Sequence, residues 1–207
     1  MTCRSCLTDT TVDIVADASV AINLIATRRS EDILDALPNR VLVVDEVSLE
    51  LEAGRHSENN DADVLSILVS TNRIEIVRLG EVGLGKFRNL TAGSTSETLD
   101  DGEASTIAYA IEHEAIAMID ERKANRICAE RFPALHIGCT VDMLAHPNVQ
   151  TSLGLEGLGD AVFNALYHGR MRVLPHHAEW VVKIVGAGRA AECSSLPRSI
   201  RQMRSAI

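Results

Sequence analysis

The chain has 207 residues, 46% of them hydrophobic and 24% charged, an ordinary globular composition with material for one good core and an appended piece. Its 20 Lys and Arg stand against 29 Asp and Glu, for a net charge of −9. That balance argues against a passive nucleic-acid binder, whose affinity comes largely from cations on phosphates, but suits a protein whose acidic cluster holds cations.

No apolar run approaches the length of a membrane span. Asp9, Asp13 and Asp17 interrupt the stretch where a signal peptide would be apolar. A soluble, cytoplasmic protein is therefore expected. Aromatic residues make up only 3% of the chain, so Ala, Val, Ile and Leu must build the core. Such a core suits buried parallel strands and the helices that cover them.

Residues 12–16 (Val-Asp-Ile-Val-Ala) read as a first strand, followed by helical pattern over about 19–26. Residues 41–44 are a second strand after the turn signal Pro38-Asn39. Helices over 46–54 and 61–70 lead to a third strand at 73–79. A weaker helix at 81–91 and a polar loop at 93–98 come next. The helix over 101–114 has the clearest pattern, with Ala104, Ile107, Ala108 and Ile111 at i, i+3, i+4 and i+7. A fourth strand at 115–119, a helix at 122–131 and a short strand at 135–137 complete the alternation. Strands separated by helices indicate βαβ units and a parallel sheet covered on both faces. After His146-Pro147-Asn148 the pattern turns helical, near 158–168, 175–186 and 197–205, with no further strand. The organisation expected is an α/β domain over 10–148 and a helical extension over 149–207, packed on the same domain.

Five cysteines are scattered. Cys3 and Cys6 form a lone CxxC with no second pair or His pair at suitable spacing, although His176 and His177 are available. Reduced thiols without a metal are the simpler expectation.

The chemistry-bearing residues are carboxylates. Asp17 follows Ile14-Val15-Ala16, and Asp120 follows Ala115-Ile116-Ala117-Met118-Ile119. Each stands at the carboxyl end of a predicted buried strand, the edge where open parallel sheets bind ligands. Glu103 lies one turn before Ile107, near the start of the long helix and so near the same edge. Glu46 and Glu50, one turn apart, are both candidates for a fourth acid. Crowded carboxylates repel unless protons or hard cations sit among them, and Mg²⁺ and Mn²⁺ prefer such oxygen ligands. Metal-assisted phosphate chemistry follows from that set. Structural alternatives stand beside it. Asp100 and Glu103 fit a capping box, Asp17 or Ser19 fits a helix cap, and the remaining glutamates fit a solvated surface.

Asp17-Ala18-Ser19, Val47-Ser48-Leu49-Glu50-Leu51, Leu99-Asp100-Asp101-Gly102-Glu103-Ala104 with Ile107-Ala108, and Ile119-Asp120-Glu121-Arg122-Lys123-Ala124 resemble the successive motifs of PIN domains. The closest flavour is the VapC-like, stand-alone branch, over about residues 12–146. The resemblance implies a three-layer α/β/α sandwich around a central parallel sheet. It also implies an endoribonuclease using Mg²⁺ or Mn²⁺, in the role of the toxin of a toxin–antitoxin pair, with RNA as substrate, a small antitoxin protein as partner and a homodimeric state. Carried over by position, Asp17, Glu50, Glu103 and Asp120 are the catalytic, metal-holding acids, with Glu121 as a helper ligand. Ser19 steadies the Asp17 loop or touches a metal-bound water.

Two departures stand out. Asp120-Glu121 replaces the family's frequent pair of aspartates. Gly138-Cys139-Thr140-Val141 lacks the second glycine of its usual Gly-Thr-x-Gly turn. Asp142, just beyond, is expected on a helix surface. Arg122, Lys123 and Arg126 are candidates for holding phosphates flanking the scissile one, against a solvated helix face as the alternative. The tail, with Arg189, Arg198, Arg201 and Arg204 against Glu192, reads as an RNA-facing arm or a helix docking on acidic neighbours. The competing function is a non-catalytic PIN module binding RNA or protein. A haloacid-dehalogenase-type phosphohydrolase is disfavoured, because it wants Asp-x-Asp where this chain has Asp17-Ala18-Ser19.

Overall fold

Short strands of Val, Ile, Leu and Ala form a single parallel sheet. They are β1 (Ile14–Ala16), β2 (Val41–Val44), β3 (Glu75–Val77), β4 (Ile116–Met118) and β5 (Ile137–Gly138), ordered β3-β2-β1-β4-β5. The computed structural model describes residues 6–54, 60–95 and 97–201. Every residue of β1, β2 and β4 is buried, as a parallel strand covered on both faces requires. In β3, at one edge, Glu75 and Ile76 are exposed and Val77 is half-buried. The chain winds outward from β1 to β3 and then crosses back to β4, so its direction of travel reverses between β1 and β4.

Helices α1 (Ala18–Ala26), α2 (Ser30–Ala36), α3 (Asp45–Ala53), α4 (Asp61–Ser70), α5 (Glu81–Thr91), α6 (Asp101–His113) and α7 (Arg122–Arg131) alternate with the strands. α8 (Thr140–Leu144), α9 (Pro147–Tyr167), a 3-10 turn (Pro175–His177), α10 (Ala178–Val185), α11 (Ala187–Glu192) and α12 (Arg198–Arg201) follow. The fold is the expected α/β/α arrangement with a C-terminal helical region. No helix of the described residues is long and apolar enough to cross a membrane.

The chain divides into two compact units. One comprises Asp9–Ala21 and Pro38–Gly138 and holds the whole sheet with α3 to α7. In it Val15, Leu42, Val44, Ala117 and Ile119 from the strands share a core with Ala104 and Ile107 of α6 and Ala124 and Ile127 of α7. Helix α6 is buried at every residue from Gly102 to Ala110, wider than its four-residue stripe suggests. Its small residues, Gly, Ala, Ser and Thr, allow that close packing. The other unit comprises Met1–Thr8, Ile22–Leu37 and Cys139–Ile207. Within it α9 packs on α2 and α10. Gly154, Gly157 and Gly159 lie inside α9, which kinks at Gly154, where φ is +64°.

Three helices were not delimited from the sequence. α2 has seven residues, α8 five and α11 six, too few for an apolar period to establish itself. α9 begins earlier than the periodic pattern. Pro147 occupies its first turn and the His146 ring accepts from the Asn148 N–H at 3.3 Å. Cys3, Arg204 and the ends of the 93–98 loop and 197–205 helix expectations involve positions outside the described residues where these are masked, namely 96 and 202–205 besides Cys3.

Helix α5 has no side-chain cap of its own, because its N-cap is Gly80. Glu112 of α6 fills that role. Its carboxylate accepts from the Gly80 N–H at 2.9 Å, and the Val82 and Gly83 amides also donate to it. A Cβ at Gly80 would stand 2.4 Å from Glu112 Oε1, so a larger residue would require the Glu112 carboxylate to shift. Replacing Glu112 with Ala is expected to lower stability by about 1–2 kcal/mol, the usual range for a lost helix cap. Urea unfolding of both proteins measures it.

Candidate active site

The parallel ladder between β1 and β4 sets the site. Ala16 lies level with Met118, and the ladder continues past the strand ends. The Asp17 N–H donates to Met118 O at 3.2 Å and the Ile119 N–H donates to Gly138 O at 2.9 Å. Asp17 and Asp120 therefore emerge from neighbouring strands, at the carboxyl edge, where the strand order reverses. That position is the ligand-binding crevice of doubly wound sheets. Both are buried, Asp17 to 3% exposure and Asp120 to 2%.

Burial raises the Asp17 carboxyl well above its ordinary pKa, and the charges of Asp120 and Glu103 push it further. The Val20 N–H, 2.9 Å from Oδ1, and the Ser19 hydroxyl, 3.0 Å from the same oxygen, act in the opposite direction. Asp17 thus caps the start of α1, as the structural alternative anticipates, and still faces two other acids. Ser19 steadies its carboxylate.

Helix α6 leads directly into β4, so its N-terminus lies toward the carboxyl edge. Asp100 caps it, accepting from the Glu103 N–H at 2.8 Å. Glu103 itself is only 8% exposed, and its carboxyl is pushed up to about 7. Burial is the main cause, followed by the charge of Asp100, with Glu121 adding and Lys123 opposing. Capping and site geometry coexist at this turn.

Glu50 reaches the same turn from α3. A Cβ at Gly102 would stand 2.5 Å from Glu50 Oε2, so the glycine leaves room for that carboxylate at the first turn of α6. Partial desolvation and the charges of Asp100 and Asp101 raise the Glu50 carboxyl. Glu46, also raised, chiefly by burial and a hydrogen bond with Asp45, senses Asp101 as well. Both candidates therefore face the start of α6, and Glu50 is the one placed against Gly102.

Asn125 was not singled out from the sequence. Its side-chain amide donates to the carbonyls of Ile119 and Glu121, each at 2.9 Å, and so clamps the backbone on both sides of Asp120. An Asn four residues into a helix after the strand-end acid was the available signal. Lys123 is half-buried and close enough to act on Glu103, whereas Arg122 and Arg126 are exposed. Arg126 pairs with Glu130 at 3.0 Å along α7. In the tail, Arg189 pairs with Asp160 at 2.8 Å and lies over the Phe163 ring.

Asp17, Asp120 and Glu103 are thus joined through their charges, with Glu50 at the Glu103 turn. Their oxygens do not close on one point as tightly as a second group does. Among the described residues, the set of three ligand-type side chains with donor atoms all within 4.8 Å of one another is Cys139, Asp142 and His177, in the other unit. Asp142 is therefore not the surface residue expected. It is buried, and its Oδ2 accepts from the Cys139 N–H at 3.0 Å. The sheet-edge donors are all oxygens, and three of them are buried carboxylates. A hard divalent cation fits such a set and would relieve its repulsion.

The family described as a PIN domain (DUF3368) matches residues 13–145, and the chain belongs to this PIN-domain family. PIN domains are in general nucleases and typically use divalent metals. No curated protein and no solved structure matches the chain.

A carboxyl whose folded-state pKa lies above its unfolded value takes up protons on folding. Glu103 therefore costs no stability below about pH 4.5, and the penalty develops as pH rises from there to about 7. Glu103→Gln is expected to stabilise the metal-free protein at pH 8 by on the order of 2 kcal/mol, with the gain fading toward pH 4.5. Urea unfolding in chelator across that range measures it.

Proposed function

We propose that this PIN-domain protein is a metal-dependent endoribonuclease that hydrolyses RNA phosphodiester bonds, with Asp17, Glu50, Glu103 and Asp120 holding Mg²⁺ or Mn²⁺ and Glu121 assisting. The observation that carries this reading is the burial of Asp17 beside Asp120 at the strand-order reversal, each within reach of the other's charge. Bound cations there would supply an activated water and charge neutralisation for a phosphodiester. Ser19 holds the Asp17 carboxylate in place, and Asn125 holds the Asp120 backbone. Lys123, with Arg122 and Arg126 on the same helix, is the cationic group suited to flanking phosphates. The toxin role, with an antitoxin protein, a homodimeric state and a cytoplasmic setting, rests on the family resemblance of the motifs.

The second reading, a non-catalytic PIN module that binds RNA or protein, draws on the looser spacing of the acids relative to Cys139, Asp142 and His177.

Incubating the purified chain with structured and single-stranded RNAs separates the two. Cleavage is expected with Mn²⁺ or Mg²⁺ and not with chelator. Asp17→Asn and Asp120→Asn are each expected to slow it on the order of a hundredfold or more, since such ions contribute several kcal/mol. Unimpaired cleavage by either variant contradicts the assignment. Thermal melts give an independent reading. Mn²⁺ at about 100 times its Kd should stabilise the wild type by about 2.7 kcal/mol and leave Asp17→Asn nearly unmoved. The non-catalytic module shows neither effect.

A further inference from the structure

The unit containing the C-terminal helices buries a second constellation that the proposed reaction does not use. Cys139 precedes α8, Asp142 lies inside it, and His177 ends the 3-10 turn that leads into α10. All three are buried. Cys139 Sγ lies 3.1 Å from Asp142 Oδ2, and His177 Nε2 lies 3.4 Å from the same oxygen. On the other carboxylate oxygen, Oδ1, the Cys6 N–H donates at 3.3 Å. Three stretches distant in sequence therefore meet at one carboxylate: Cys139 brings a buried thiol, His177 an imidazole, and Cys6 its backbone N–H, with an exposed side chain.

A helix cap alone does not require this. The Asp142 bond to the Cys139 N–H already satisfies the first turn of α8. Adding a buried imidazole from 35 residues further along, together with a thiol, places polar groups where burial is costly unless they are bonded. The spacing fits a small tetrahedral ion. With Zn–S near 2.3 Å and Zn–N or Zn–O near 2.1 Å, donor atoms stand about 3.4–3.6 Å apart. The observed separations of 3.1 and 3.4 Å are close to that. The mixed sulfur, nitrogen and oxygen donors suit Zn²⁺ and differ in kind from the all-oxygen edge of the sheet.

We propose that Cys139, Asp142 and His177 form a structural zinc site, with the exposed Cys6, whose backbone N–H already reaches Asp142, turning its thiol inward as the fourth ligand when the ion binds. The ion would replace the thiol protons, which are released on binding, and tie the N-terminal segment to α8 and the turn before α10. The site is separate from the cations proposed at Asp17 and Asp120, so either can fail without the other.

The test is cobalt and zinc titration of the full chain after chelator treatment, with metal content counted by elemental analysis. One Zn²⁺ per chain is expected to survive gel filtration. Co²⁺ in its place should give a near-ultraviolet thiolate charge-transfer band and the strong visible bands of tetrahedral cobalt. Cys139→Ser should abolish the thiolate contribution of that residue and weaken zinc binding on the order of a hundredfold or more, exceeding the usual effect of altering a ligand's neighbour. Cys6→Ser should weaken the charge-transfer band, and Asp17→Asn should leave it in place. No zinc retained, or cobalt bound without a thiolate band, overturns the site and leaves a hydrogen-bonded cap. An unchanged band in Cys6→Ser removes Cys6 as the fourth ligand. If Cys139→Ser fails to fold, the wild-type cobalt spectrum and zinc count still decide.

Discussion

Two carboxylates pressed together where water is scarce are the constraint on which the rest of the site depends. Asp17 and Asp120 are each almost wholly buried, and each leaves its strand one or two residues past the paired register of β1 and β4. Apolar strands such as Ile14-Val15-Ala16 could end in any small residue and pack equally well. Ending both in aspartate sets repulsion and desolvation against folding at neutral pH. A protein retains such an arrangement when something positive is meant to enter it, and that logic links the fold to nuclease chemistry.

The surrounding structure holds this unfavourable cluster in place. The ladder bonds from Asp17 to Met118 and from Ile119 to Gly138 fix the two strand ends, and Asn125 fixes the backbone on either side of Asp120. Helix α6 buries a nearly continuous face of small residues, so its first turn is rigidly placed and Glu103 with it. The absence of a side chain at Gly102 lets Glu50 approach from α3. Each contact is local and modest. Together they stop the carboxylates from relaxing outward into water, their lowest-energy response if the edge were flexible.

Much of the sheet-bearing part was legible because its signals are strong. The apolar runs at 14–16, 41–44 and 115–119 are bounded by charged residues, and α4, α6 and α7 carry sustained helical patterns. The strand-end position of Asp17 and Asp120 followed from those runs. Their adjacency required the sheet order, which sequence patterns constrain only through topology rules. The contact between Glu50 and Gly102 joins residues 52 positions apart and has no local signature. Asp142 was misread because a five-residue helix gives no period from which to tell its inner face. The lone Cys3-x-x-Cys6 lacked a visible metal partner for a related reason: Cys139 and His177 have no fixed spacing to it, and only the fold brings Cys6 to the Asp142 carboxylate.

A double-mutant cycle on the metal-free protein tests the central proposition most directly. Unfolding free energies of wild type, Asp17→Asn, Asp120→Asn and the double variant are compared at pH 8 in chelator. If the two charges oppose each other across the strand-order reversal, neutralising one relieves most of the repulsion. The second substitution then adds less than it does alone, with a coupling of about 1 kcal/mol or more. Additive effects would mean that the carboxylates do not sense one another, and the account of a shared cation site would fail with them.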